Sequence, residues 1–496
     1  MKRLDQLTFT RFWALLLVLI YHGGGGIYTG WISYPPLLSI LYSAPTAVSY
    51  LYVLSGFVMS LVYYRPAEKF ELHAYWTTRF VRIYPLYILS FVLTCYYYLD
   101  YIARINPQKV LVNIFVLQAW WPPYAQSFNY ASWSMTVEFF FYAVFPFFTM
   151  WAFRQSTAKL IWSSLALWLI TQFAHFTLWT ANNPRWESLI VYNPIFHLSS
   201  FILGAVGGIW YLRNVKGQAI TQLQNLCVMA GSLVLISGYT ILSNIHPQLP
   251  HNLQPMSGLL SPFFILFIVS LALDRTVISA LLTKRWPVLL GETAFALYIL
   301  HVPVIWIYER TLFSSGLIDP QHVLDITYLP LMIIMGLVAC LYVDPPMRKF
   351  LKSVLNRISI RLALLDLLVV AVSVYLAYLV RFGSGREFMK YETAVLLMFW
   401  SAFLVRTAVT LTVNEIRPLY DLQPIRQWAR SLLISTSAGT VVLVAVMFAA
   451  HSVGWITNFP RSVFLIEWLS VFSLSLLVRY LFPSWGRGWA PRRLPA

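Results

Sequence analysis

Charge is what this sequence has least of. Of its 496 residues only 11% are Asp, Glu, Lys or Arg, where a soluble domain carries about 25%, so the chain cannot cover a water-facing surface. Cysteine is almost missing too. Cys95, Cys227 and Cys340 stand in apolar runs at unrelated spacings, which excludes a disulfide framework and a cysteine-based metal site. No metal is expected. No polar stretch is long enough for a soluble domain, no internal repeat is visible, and no Gly-x-Gly-x-x-Gly occurs. The first apolar run follows Met1-Lys2-Arg3 but lacks a small-residue cleavage site. Arg11 and His22 inside it are foreign to a signal peptide, so the run is expected to be retained.

What is present is apolar: 59% hydrophobic residues, 17% of the chain aromatic. A bilayer core needs about 20 apolar residues per helix. The sequence predicts an all-α polytopic membrane protein with about fourteen spans, near 7–24, 40–64, 83–103, 132–153, 158–180, 188–212, 225–244, 256–274, 287–309, 323–343, 361–382, 391–413, 431–451 and 462–482. The run 109–121, holding Asn113 and Gln118, reads as an interfacial or re-entrant piece.

The net charge of +17 invites a nucleic-acid partner, but its distribution argues against one. With the N-terminus in the cytoplasm, roughly three-quarters of the 35 Lys and Arg residues fall on the cytoplasmic side, the positive-inside bias. The expected location is an inner membrane with both termini cytoplasmic. Spans one to ten are aromatic-rich and broken by Gly and Pro, including the run Gly23 to Gly26, whereas the last four are more aliphatic. A boundary is placed near residue 352, giving a ten-helix unit over 1–352 and a four-helix module over 353–496.

Ionisable groups within a bilayer are costly and are functional-site candidates by default. Arg11 and His22 are eleven residues apart. At 100° per residue that is about 20° beyond three full turns, so both project from one face, with a rise of roughly 16–17 Å between them. That separation is comparable to an extended pantetheine arm. The plainer account is a snorkelling Arg and a His bonded to a neighbouring helix. Arg79 and Arg82, three apart, share a helix face and suit phosphate, though ordinary cytoplasmic anchoring also explains them. Glu138, in Ser132-Trp133-Ser134-Met135-Thr136-Val137-Glu138, is followed by Phe139, Phe140, Phe141 and Tyr142 and needs a buried partner, with His22 or an Arg as candidates. A helix-end carboxylate is the competing account. His301, before Val302-Pro303, is a fourth polar intruder, either structural or functional.

Together these segments resemble the acyltransferase-3 family of membrane acyltransferases over about residues 4–350. Arg11 and His22 match its Arg-x10-His signature. Tyr50 to Phe57 is similar to its Phe-Phe-x-Leu-Ser-Gly-Phe box, and Arg79 with Arg82 to its Arg-x-x-Arg box. Ser134 to Tyr142 resembles its Trp-Ser-Leu-x-x-Glu box, placing Glu138 on the family's glutamate. Gly291 to Pro303 resembles its closing histidine box, placing His301 on the family's histidine. The chain departs at Thr8, where the family often has Asp, at Ala294-Phe295 in place of Ser-Tyr, and at Asp344-Pro345-Pro346 in place of Glu-x-Pro.

The resemblance implies transfer of acetyl or another short acyl group from cytoplasmic acyl-CoA to a hydroxyl of a surface polysaccharide or lipid-linked glycan. Chemistry gives the roles: a hydroxyl needs a base, so His22 is expected as base or transient acyl carrier, with Glu138 orienting it and Arg11, Arg79 and Arg82 on the CoA phosphates. His301, Trp133 and Ser134 are candidate acceptor contacts. The last four spans resemble the membrane anchor of polysaccharide-biosynthesis nucleotide-sugar dehydratases, without the Rossmann domain that should follow. That module is expected to dock the enzyme beside other polysaccharide-assembly enzymes. Arg406, Glu415 and Glu467 read there as helix-end charges or as a polar site. The rivals are a flippase or transporter of lipid-linked oligosaccharide and a non-catalytic assembly scaffold. Neither accounts for a phosphate-binding arginine pair together with His22 and Glu138.

Overall fold

A computed structural model describes residues 4–23, 32–66, 70–98, 106–181, 183–216, 220–245, 258–314, 320–355, 360–383, 394–395, 397–403, 405–406, 409, 425–454, 456 and 459–481. Among them every regular element is helical, and nine helices are long and apolar enough to cross a membrane, with three shorter apolar ones beside them. The chain is an all-α, multi-pass membrane protein. The calls on Gly24 to Gly26 and on Glu415 lie outside the described residues.

The helices fall into two compact units. The first takes in residues 1–97 and 116–349; the second takes in 98–115 and 350–496. The C-terminal module therefore includes a stretch that the sequence reading gave to the first unit. The ring of Phe115, just after the short helix Pro107–Ile114, lies 4.1 Å from that of Trp400. An aromatic contact made across nearly 300 residues of chain has no local signal.

The main helices of the first unit are α1 (Gln6–Gly23), α2 (Ala44–Tyr63), α3 (Leu72–Tyr97), α4 (Trp133–Ala152), α5 (Thr157–Thr180), α6 (Leu198–Trp210), α7 (Gln222–Ile245), α8 (Ser261–Leu273), α9 (Arg285–Phe313) and α10 (Pro320–Val338). Lipid is as apolar as a leucine side chain, so membrane helices associate through close packing at small residues. Gly56 of α2 and Gly204 of α6 show this. A Cβ on Gly56 would lie 2.0 Å from the Phe201 carbonyl, and one on Gly204 would lie 2.0 Å from that of Val53. The Ser-Gly-Phe box is thus a helix-contact device, with Phe57 fully buried beside it. At Gly291 the backbone of α9 comes equally close to α1, a Cβ there meeting the Thr8 carbonyl at 2.1 Å. That contact sets α1 against α9.

Prolines inside these helices remove an amide and orphan the carbonyl four residues earlier, which in lipid must find another donor. Pro146 orphans the Tyr142 carbonyl, and the Trp76 indole donates to it at 3.2 Å. Pro303 orphans that of Ile299, and the Asn129 amide donates to it at 2.7 Å. Asn129 belongs to the segment between α3 and α4, of which the sequence marks only 109–121 as interfacial or re-entrant. Three short 3-10 turns build it, at Gln118–Trp120, Pro122–Tyr124 and Tyr130–Ser132. Val116 and Phe128 adopt φ of 57° and 61°, a region that non-glycine residues enter only at a cost of about 1–3 kcal/mol each. Buried amides hold the segment in place. Gln118 donates to the Ser132 carbonyl at 3.0 Å, and Asn129 also bonds Ser90 Oγ at 2.7 Å.

The second unit contains α11 (Ile360–Phe382), α12 (Ile425–Ser452) and α13 (Ser462–Leu481), with helical residues between 394 and 409. Arg406 and Glu467 are not helix-end charges. Both are buried and form a bidentate ion pair, with Arg406 Nη2 at 2.7 and 2.6 Å from the two carboxylate oxygens. Arg406 Nε also donates to Glu467 Oε1 at 3.0 Å, Nη1 reaches the Thr436 carbonyl at 3.1 Å, and Nη2 lies 2.9 Å from Thr440 Oγ1. Gly439 leaves room for it, since a Cβ there would lie 3.1 Å from Arg406 Nη1.

Candidate active site

Helix α1 carries Arg11 and His22, both half-buried, on one unbroken run. His22 Nδ1 lies 3.0 Å from His301 Nε2, and the two rings are nearly parallel, 9° apart in plane. His301, fully buried on α9, uses its other nitrogen on the Tyr298 carbonyl at 2.7 Å. Tyr298 is fixed in turn. Its hydroxyl donates to the Ala131 carbonyl at 2.9 Å and lies 2.6 Å from Ser134 Oγ. The Trp-Ser box at the start of α4 therefore props up the helix that carries His301. Ser134 and His301, expected at the acceptor, are spent on protein partners, and Trp133 packs its ring against Tyr192 and His197.

On its other side the ring of His22 meets Tyr130 edge-on at 5.0 Å, and Tyr130 meets Trp306 at 5.8 Å. Tyr130, Tyr298 and Trp306 were not singled out in the sequence. Tyr298 stands three residues before His301 within one box, which was the available signal. Tyr130 and Trp306 offered none.

The expected partner of His22 was Glu138. The structure gives it His301 instead, while Glu138 accepts a 2.5 Å hydrogen bond from Tyr142, one turn further along α4. Glu138 belongs electrically with the arginines, since Arg11 feels the charges of both Arg82 and Glu138. Arg79 and Arg82 divide. Arg79 is buried in a cage of tyrosines, donating to Tyr63 Oη at 2.6 Å with its guanidinium 4.8 Å above that ring and 5.6 Å above that of Tyr142. Arg82 is exposed. Neither Arg11 nor Arg82 has a hydrogen bond or ion pair among the described residues, so both keep guanidinium donors for an anion. Arg79 is instead a strut for α2, α3 and α4. No group of three or more residues able to hold a metal occurs among the described residues.

The arrangement is an imidazole backed by a second imidazole, about 16–17 Å along α1 from a guanidinium. It suits proton abstraction at one end and anion binding at the other. Residues 4–344 match the family described as Acyltransferase domain. The chain is also 24% identical, over 326 residues, to a protein of Streptomyces mycarofaciens named Acyltransferase MdmB. That match covers 61% of this chain and 79% of the relative. No solved structure gives a significant match.

Proposed function

Because the chain belongs to the Acyltransferase domain family, and is thereby a membrane acyltransferase, we propose that it takes an acyl group, acetyl above all, from cytoplasmic acyl-CoA and places it on a hydroxyl of a cell-surface polysaccharide or lipid-linked glycan. The observation that carries this reading is the placement of His22. It is half-buried, held from behind by His301, and lies on the same helix as an arginine without an ion-pair partner.

A sugar hydroxyl is a weak nucleophile until a base takes its proton, and histidine suits that task near neutral pH. The hydroxyl proton passes to His22 Nε2 as the oxygen attacks the thioester carbonyl carbon. The tetrahedral adduct then collapses, the C–S bond breaks, and the departing sulfur takes the proton back from Nε2. Arg11 and Arg82 hold the CoA phosphates by charge-assisted hydrogen bonds. Glu138, anchored by Tyr142, keeps the two guanidinium groups from repelling one another outright. Tyr130 and Trp306 offer aromatic surface beside His22 for the acceptor ring. The protein resides in a bacterial inner membrane with both termini cytoplasmic, and its C-terminal module serves contact with other polysaccharide-assembly enzymes. Measuring surface-polysaccharide acylation in cells with wild type, H22A or no gene tests this reading. Wild-type acylation from a stably produced H22A protein overturns it.

A further inference from the structure

The hydrogen bonds around His301 determine where the ring protons sit. A backbone carbonyl only accepts, so the 2.7 Å contact between His301 Nδ1 and the Tyr298 oxygen requires a proton on that nitrogen. A neutral imidazole has one ring proton, which leaves Nε2 of His301 with a lone pair. That atom faces His22 Nδ1 at 3.0 Å, so His22 donates and its own proton is on Nδ1. By the same count, the free lone pair of His22 is on Nε2.

We propose that His301 is a positioning residue that holds His22 in the Nδ1-protonated tautomer and so presents Nε2 as the base of acyl transfer. This rests on the reading of His22 as base given above. The order runs through five residues: Ser134 and Ala131 fix the Tyr298 side chain, the Tyr298 carbonyl fixes the His301 proton, and His301 fixes that of His22. Each member except His22 is buried, and His301 is fully so. When Nε2 takes the acceptor proton, the imidazolium of His22 still donates from Nδ1 to the same nitrogen of His301. The hydrogen bond serves both charge states, and no ring has to turn during reaction. A second neutral imidazole thus does for His22 what a carboxylate does in a serine-hydrolase triad, without placing an anion in the membrane.

The test is 15N NMR of histidine-labelled full-length protein in lipid nanodiscs, with the His22 signals identified by their loss in H22A. Wild type is expected to show a protonated Nδ1 and an unprotonated Nε2 for His22. In H301A the His22 proton redistributes toward Nε2, whereas H301Q, whose side-chain oxygen accepts from Nδ1, keeps the wild-type pattern. In parallel, H301A lowers kcat on the order of 10²-fold or more with the donor KM unchanged, and H301Q recovers part of the loss. A proton on His22 Nε2 in the wild type, or an unaltered His22 tautomer in H301A, overturns the proposal. If H301A fails to fold, the wild-type and H301Q spectra decide. Full acyl transfer by H22A with the wild-type tautomer confirmed overturns instead the base assignment, so the two failures are distinct.

Discussion

Two polar pairs among the described residues, Arg406 with Glu467 and His22 with His301, contrast in one respect. Arg406 and Glu467, in the C-terminal unit, close on one another completely. Both carboxylate oxygens are bonded, and the guanidinium also reaches Thr436 and Thr440. The pair of His22 and His301 is closed at one end only. His301 is used up, while His22 keeps one nitrogen with no partner among the described residues. A satisfied pair specifies structure; a pair with one valence left over does chemistry. Intramembrane polarity alone does not separate the two cases, since all four residues stand within predicted apolar spans.

Substitutions break that contrast in different currencies. The largest effect is expected at the open pair: H22A lowers acyl transfer by about 10²–10⁴-fold, the range for a general base, while leaving His301 Nε2 without its donor costs only about 1–3 kcal/mol of stability. At the closed pair, R406A strands Glu467 in the interior and costs about 3–5 kcal/mol of stability, whereas an R406M/E467L double variant recovers most of it. Unfolding in detergent measures both, and equal stabilities of single and double variants contradict the closed-pair account. N129A again leaves the Ile299 carbonyl beside Pro303 without a donor, at about 1–3 kcal/mol, read as earlier unfolding of the first unit. Smallest is R82A, which raises the donor KM about tenfold, equivalent to about 1.4 kcal/mol, with stability kept. R79A shows the opposite division, since its guanidinium is enclosed by Tyr63, Tyr75 and Tyr142. A CoA titration of both variants settles which arginine meets the donor.

Much of the architecture is legible in one dimension because the bilayer imposes it. Long apolar runs become helices, and the polar pair in α1 follows from 3.6 residues per turn. The Arg79 and Arg82 pair shows where this ends. Three residues place both on one face, yet 60° of rotation is enough to bury one among tyrosines and leave the other in the open. The pairing of His22 with His301 spans 279 residues and depends on Gly291 letting α9 approach Thr8 of α1. No local pattern encodes it. For Glu138 the sequence leaves His22 or an Arg open as partner, and the structure gives it Tyr142, one turn along its own helix. Tyr298 escaped notice because what matters is its carbonyl, an atom that every residue has.

The unbroken course of α1 has a consequence for selectivity. On the proposed donor mode, the anion anchor and the base ride one rigid rod, so tilting or sliding the helix moves them together and leaves their spacing untouched. An enzyme built this way discriminates carriers by length more than by the chemistry of the acyl head. A thioester on a clipped pantetheine fragment can still reach the imidazole, but it arrives untethered and surrenders the remote binding that would have held it in line.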